Sequence, residues 1–424
     1  MKLFALSVLL FVTWPRVGVS QSRREELTIA EAVEEAIQNN PGLNAARLGL
    51  AVADTASITA GLRPNPVVST SADHLDLLGT GYNDQNNAGP PEMALRIDVP
   101  FERGGKRQAR LATASFERRI AEAAIADATR RLKQDVTLAC VDLLEAQARL
   151  ALADENLQSL DRLVQLNDAR VKAGSIAPVE LTRSRVAMLQ FRANKRTAEL
   201  AVTTSQIRLH VLLGRPPGGN GIAIAGGLKP SIPPAPVNLE ALRAAAIASR
   251  PDLASLQLTQ ARSQADLRLQ VAQGKIDYTF GMEYRRQQGV NGRGNSLGFF
   301  ASAPLPLFNR NQGEIARARA EETQIVRRIE ALEHEINGEV TAAWQEYETA
   351  RTQVTEIERD LLAPSTEARD TTAYVYQAGA SSLMEVLDAQ RAFNETMSAY
   401  TGAQADYRRA AERLEAAIGK EMVP

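Results

Sequence analysis

A single cysteine, Cys140, in 424 residues excludes any disulfide within the chain. It lies far from the N-terminus, so no cysteine stands where a bacterial lipid anchor would attach, and its simplest reading is a small packing residue in a helix. Histidine is nearly as scarce: His74, His210 and His334 sit at no metal-ligand spacing from one another or from Cys140. No glycine-rich phosphate loop, nucleophile elbow or catalytic carboxylate pair is found. These absences point away from an enzyme and from any bound cofactor or metal. Neither sign of charge dominates, with 49 Lys and Arg against 50 Asp and Glu, so nothing suggests a nucleic-acid partner. Beyond the N-terminus no uncharged apolar run approaches the roughly eighteen residues of a spanning helix. With 44% hydrophobic and 23% charged residues, the chain can still build cores for two or more domains.

The N-terminus itself is different. Lys2 precedes an apolar run from Leu3 to Trp14, followed by Pro15, Arg16 and the small residues Gly18 and Ser20. This reads as a secretory signal peptide over 1–20, too short in its apolar part for an anchor. Its removal takes away Lys2 and Arg16 and no acid, leaving 47 basic against 50 acidic residues.

What the remainder has is self-similarity. Residues 27–43 match 237–253, pairing Ile29 with Leu239 and Pro41 with Pro251. PFERGGKRQAR matches LFNRNQGEIAR, pairing Phe101 with Phe308, Arg103 with Arg310 and Arg110 with Arg317. Further on, Ala173 and Gly174 pair with Ala378 and Gly379, Glu180 with Glu385, and RLHVLLG (208–214) with RLEAAIG (413–419). Four landmarks in one order and at nearly constant offset mark a duplicated unit. The first copy is read as 21–213 and the second as 239–424, joined by a Gly/Pro-rich linker over 214–238.

Each copy reads helix, helix, strand, loop, strand, long helix, turn, long helix. Strands are expected at about 64–77 and 92–101, then at about 275–286 and 295–307. Met93, Leu95, Ile97 and Val99 alternate with Ala94, Arg96 and Asp98, and Ile276, Tyr278, Phe280, Met282 and Tyr284 alternate with Asp277, Thr279, Gly281 and Glu283. Apolar on one face and polar on the other suits a membrane barrel, although a soluble sandwich shows the same alternation. Four strands per chain cannot close a barrel, since the smallest have about eight. If these strands cross a membrane, several chains share one barrel.

Helical hairpins are expected over about 104–213 and 311–419. Lys106 to Lys172 contains neither proline nor glycine, enough for a helix on the order of 100 Å. In the second copy Ile325, Ile329, Leu332, Ile336, Val340, Ala343, Tyr347, Ala350, Val354, Ile357 and Leu361 step by threes and fours as a coiled-coil seam with one stutter. Pro364 is expected to kink or interrupt this helix.

These features together resemble the TolC family of outer-membrane efflux proteins. The most specific marks are the junctions DVPFERGGKRQAR and PLPLFNRNQGEIARARAE and the turns VKAGSIAPVELTRSR and YQAGASSLMEVLDAQRA. The LFNRNQG and GGKRQAR wording is most similar to the CzcC-like branch, which serves divalent-cation efflux pumps. The resemblance implies a mostly α fold with a membrane β-barrel part: a homotrimer whose twelve strands close one barrel in outer-membrane lipid, above a periplasmic α-barrel of helical hairpins. It implies a passive exit duct that meets a periplasmic adaptor protein and an inner-membrane RND transporter, most readily for divalent heavy-metal cations. The same duct for drug efflux or type I protein secretion is the near alternative; a secreted structural coiled-coil protein is the distant one.

The resemblance also assigns candidate residues. The hairpin tips, Gly174, Ser175, Ile176 and Ala177 with Gly379, Ala380, Ser381 and Ser382, are expected to dock the adaptor. Either glycine can take the left-handed conformation at a helix end, and Ser175 or Ser381 can cap the next helix. Glu385 and Asp388 share a helix face and are expected to form an acidic ring that attracts cations. Some familiar members carry an arginine latch just ahead of the position of Ser382; Ser381 stands there, which leaves Tyr376 as the candidate latch. The barrel-to-helix junctions are Pro100, Phe101, Arg103, Gly104 and Gly105, and Pro304, Pro306, Phe308, Asn309, Arg310 and Gly313. There the prolines end strand pairing and the turn residues redirect the chain into the helices.

Overall fold

The computed structural model describes residues 25–75, 77–79, 91–218, 221–229, 238–289 and 292–420. The expected signal peptide and part of the expected linker lie outside these residues.

The first copy begins with β1 (Glu25–Leu27), α1 (Ile29–Asn39) and α2 (Pro41–Gly61). Thr28 starts α1 with a capping box: its hydroxyl accepts from the Glu31 N–H at 3.2 Å while Glu31 accepts from the Thr28 N–H at 2.8 Å. Pro41 holds Asn40 out of the helical region, which separates α1 from α2. β2 (Val67–Asp73) and β3 (Glu92–Phe101) follow, then α3 (Lys106–Lys172) and α4 (Pro178–Leu212). A short β4 (Ile222–Ile224) leads to the second copy: α5 (Leu239–Ser249), α6 (Pro251–Gln273), β5 (Tyr278–Gly289), β6 (Gly292–Ser302), α7 (Gln312–Asp360), α8 (Leu362–Gln377) and α9 (Leu383–Ile418).

The four long strands form one antiparallel sheet in the order β2-β3-β5-β6. Its centre joins the two copies, with Leu95 opposite Tyr284, Ile97 opposite Met282 and Val99 opposite Phe280. Phe299 and Leu297 on β6 extend this row. All these side chains are exposed within the chain, the pattern of a sheet whose apolar face meets lipid. The other face is charged. Arg96 pairs with Asp98 at 2.8 Å, and Arg285 with Glu283 at 3.0 Å and Glu92 at 3.2 Å. A Cβ at Gly281 would stand 2.2 Å from Asp98 Oδ1, so glycine is what lets this ion pair lie across β5.

β3 keeps the expected limits, but strand limits differ from the sequence expectation where β5 begins and where β6 ends. β5 starts at Tyr278, and Asp277 instead accepts from the Arg103 N–H at 2.8 Å and from Lys106 Nζ at 2.5 Å. β6 ends at Ser302, before Pro304.

The helices pack as two related bodies. In the first, Val136, Cys140, Leu143, Leu209 and Leu213 form a buried core with Ala32 and Ala36 of α1. In the second, Tyr347, Val354, Tyr407 and Leu414 join α7 to α9, and the Tyr347 and Tyr407 rings lie 5.3 Å apart. The seam read from the sequence is buried at Ile325, Ile336, Val340, Ala343, Tyr347, Ala350, Val354 and Ile357. Leu361, its last position, is 51% exposed because the helix breaks there. The proline ring at 364 crowds the carbonyl four residues back, at Asp360, so the interruption falls ahead of the proline itself.

β1 and β4 pair in parallel, Leu27 opposite Ile224. Ile222 and Ile224 are buried in the first core, so this part of 214–238 is a packed element as well as a connection.

Candidate functional site

Both hairpin tips close in the same way. After α3, Gly174 has φ 73°; its N–H donates to the Val171 carbonyl at 3.0 Å and the Ser175 N–H to the Arg170 carbonyl at 2.9 Å. After α8, Gly379 has φ 81°; its N–H donates to Tyr376 O and the Ala380 N–H to Val375 O, both at 3.0 Å. A left-handed residue with these two bonds satisfies the last helical carbonyls and turns the chain out of the helix. The restart differs between the copies. α4 begins on Ala177 without a side-chain cap, followed by Pro178, so Ser175 is spent in the turn. α9 begins on Ser382, not Ser381, with a capping box in which Glu385 accepts from the Ser382 N–H at 3.1 Å. Ser381 Oγ is buried and has no hydrogen-bond partner among the described residues. Ile176 is half-buried and Ala380 exposed at the tips.

Glu385 and Asp388 are both exposed on the first turns of α9. Glu385 spends one carboxylate oxygen on the cap, and Asp388 is paired with Arg391 at 3.2 Å. Tyr376 faces inward, 5% exposed, and its hydroxyl donates to Asn167 Oδ1 of α3 at 2.6 Å. Arg170, also on α3, lies 5.1 Å over the Tyr376 ring and donates to the carbonyls of Tyr376 at 3.2 Å and Gln377 at 2.8 Å. With Leu383 and Val386, these contacts fasten the second hairpin's tip to the end of the first. Just above them α3, α8 and α9 part around a cavity of about 480 Å³ lined by Leu160, Leu163, Arg369, Tyr376, Leu387 and Gln390. The Asn167 contact was not legible in the sequence; only the fold brings residue 167 against 376.

At the opposite end of the helices the two junctions solve one steric problem. Gly104 and Gly105 have φ 76° and 75°, and a Cβ at Gly104 would come within 2.5 Å of Lys275 Cδ. At the position matching Gly104 stands Asn311, with φ 61°. Asparagine tolerates this conformation better than most residues, and its side chain donates to Gln270 O at 2.8 Å. Around it Asn309 Oδ1 accepts from the Asn311 N–H at 2.8 Å, and Gln312 Oε1 from the Arg310 N–H at 2.7 Å. Pro304 and Pro306 lie in irregular chain beyond β6, and Gly313 has open space around it. In the first junction Pro100 and Phe101 end β3, paired with Thr279 and Tyr278. Among the described residues no group of three or more His, Cys, Asp or Glu is placed to hold a metal ion.

Two strands and a long helical hairpin, stated twice and joined through one sheet, define a class of barrel-and-tunnel channels. The family model described as "Outer membrane efflux protein" matches residues 32–215 and 242–420, and the chain belongs to that family. It is an efflux channel of the outer membrane. It is 25% identical over 401 residues to the cobalt-zinc-cadmium resistance protein CzcC of Cupriavidus metallidurans, covering 93% of this chain and 90% of that one. It is 26% identical over 301 residues to the nickel-cobalt-cadmium resistance protein NccC of Alcaligenes xylosoxydans xylosoxydans, covering 70% of this chain and 64% of that one. The solved outer-membrane channel OprN shares the fold with a TM-score of 0.75 at 19% identity, over 93% of this chain and 91% of that one.

Proposed function

We propose that three copies of this chain form the outer-membrane exit duct of a tripartite pump that exports divalent heavy-metal cations. The observation that carries the trimer is the sheet. Among the described residues β2 and β6 each leave one edge unpaired, and partner strands on other chains would complete a closed ring in which no edge is exposed to lipid. Three copies give twelve strands, within the range of membrane barrels. The cargo reading is supported by the likeness to CzcC and NccC.

In this reading the charged face of the sheet lines the pore and the long helices carry it across the periplasm. The tips at Gly174 to Ala177 and Gly379 to Ser382 receive a periplasmic adaptor, which connects the duct to an inner-membrane RND transporter. Glu385 and Asp388 of three chains form a ring at that end, tempered by Arg391. Tyr376 is a latch that acts within one chain, through Asn167. The duct is passive, and its partners supply the energy.

Purified protein should run as a trimer in detergent and conduct in planar bilayers, and a strain lacking the gene should become sensitive to zinc, cobalt or cadmium. A monomer without conductance would overturn the duct. Sensitivity to antibiotics alone would overturn the cargo assignment and leave the duct standing.

A further inference from the structure

We propose that the seam between barrel and helices is a belt that binds anionic phospholipid headgroups at the periplasmic side of the outer membrane. This rests on the membrane-channel reading above. The apolar part is Phe101, Leu305, Leu307 and Phe308, which are 61%, 78%, 68% and 90% exposed. They continue the lipid-facing row of the sheet: Phe101 ends β3 opposite Tyr278, and the loop carrying the other three follows directly on β6. Lone exposed apolar residues are ordinary, but four at one seam, contiguous with a lipid face, mark a surface that something apolar covers.

What covers it is indicated by charge. The duplicated unit places an arginine two positions after each exposed phenylalanine: Arg103 after Phe101, and Arg310 after Phe308. Arg103 stacks 4.7 Å over the Tyr278 ring, and Arg310 Nε donates to Pro306 O at 3.2 Å. The stem of Lys275 passes beside Gly104 in the same seam. None of these three cations has a carboxylate partner among the described residues, whereas the local acids are engaged: Glu102 with Arg110, Asp277 with Lys106 and Glu314 with Arg317. The two longest helices also begin here on left-handed residues, Gly105 and Asn311, without side-chain caps, which adds their positive dipole ends to the seam. Apolar side chains at the hydrocarbon boundary with unpaired cations beside them fit a leaflet of anionic phospholipid, as aromatic and basic residues do at other membrane interfaces. A second copy of the chain would cover apolar surface without supplying phosphates.

The experiment uses the full-length trimer in vesicles, with Phe308→Trp as a depth reporter and lipids brominated near the headgroup as quenchers. Wild-type protein, whose Trp344 lies in the helical body, supplies the baseline. The belt predicts strong quenching of Phe308→Trp, stronger for brominated phosphatidylglycerol than for brominated phosphatidylcholine at equal mole fraction. Each cation near the surface favours anionic lipid by roughly fivefold, so Arg103→Gln, Lys275→Gln and Arg310→Gln together should abolish the preference while quenching persists. Should Phe308→Trp fail to assemble, Leu307→Trp reports on the same loop. Absence of quenching in a conducting channel would show that a neighbouring subunit covers the patch and would overturn the belt without touching the duct. Equal quenching by both lipids would overturn recognition of anionic headgroups.

Discussion

The hydroxyl of Tyr376 donates to Asn167 Oδ1 at 2.6 Å, and both residues are buried, on helices from different copies of the repeat. Arg170 clasps the carbonyls of Tyr376 and Gln377 beside it, so polar contacts join the tips of the two hairpins. α8, which carries Tyr376, is cut from α7 at Leu361 and stands beside the cavity.

Tyr376→Phe is therefore expected to loosen the tip. It removes one buried hydrogen bond and leaves Asn167 Oδ1 unpaired, a cost of about 1–3 kcal/mol. Single-channel recordings should show a larger open conductance or more frequent opening. Pairing it with Asn167→Leu should recover much of the stability, since both polar partners are then gone, but not the wild-type opening frequency. Recordings identical to wild type would remove this contact from gating.

A second expectation concerns the first junction. Gly104→Ala and Gly105→Ala each force a Cβ into a left-handed conformation, at about 1–2 kcal/mol, and at Gly104 the new atom also meets the Lys275 stem. Gly313→Ala is the contrasting control. Its site is open and lies in the first turn of α7, where alanine is favoured. Trimer yield and melting temperature should fall for the first pair and hold or rise for the control.

Much of this architecture is legible in the sequence because it rests on long periods. A glycine-free and proline-free stretch from Lys106 to Lys172 can hardly be anything but helix, and the alternation around Leu95 and Met282 spans enough residues to identify a strand. The pairing of β1 with β4 rests on three residues each, too few to carry a period, so Ile222 and Ile224 pass for linker. Helix starts are hard for a related reason. Ser381 and Ser382 have the same chemistry, and only the turn geometry after Gly379 decides which hydroxyl reaches the Glu385 N–H. Contacts such as Tyr376 with Asn167 depend on how one hairpin lies against another, which local periodicity does not encode.

The junction of α5 and α6 offers a test in acid. Arg250 pairs with Asp252 at 2.6 Å and also with Glu339, and its side chain is 5% exposed. Burial by itself would raise the Asp252 pKa, but the Arg250 guanidinium outweighs it and holds the carboxyl below its usual range. A depressed carboxylate contributes stability that is complete above the unfolded value of about 4 and is lost as pH falls through the lower folded one. Wild type should thus begin to lose this contribution only below about pH 4. Arg250→Met should be destabilised by roughly 3–5 kcal/mol at neutral pH, and its acid-unfolding midpoint should move upward. Circular dichroism across a pH series reads both effects.

Cys140 should be inert in the folded protein. It is fully buried, and burial pushes its thiol up to about 12. Thiol reagents should react with it only after denaturation, at a rate that reports unfolding. Fast labelling of the native protein would show that the first helical core opens.

The acidic positions on α9 can be tested one at a time, because their surroundings differ. Glu385 belongs to the capping box of Ser382, so Glu385→Ala changes both charge and helix start, whereas Glu385→Gln keeps an acceptor for the Ser382 N–H and removes only the charge. Asp388 has no part in the cap but lies beside Arg391, so Asp388→Asn leaves that cation unopposed on the same face. If these side chains line the duct, Asp388→Asn should reduce cation selectivity more than Glu385→Gln, through the freed arginine. Asp388→Asn combined with Arg391→Gln should restore part of it. Reversal potentials in asymmetric salt, with block by multivalent cations as a second readout, measure this order. Selectivity that ignores all three substitutions would place the ring elsewhere on the tunnel wall.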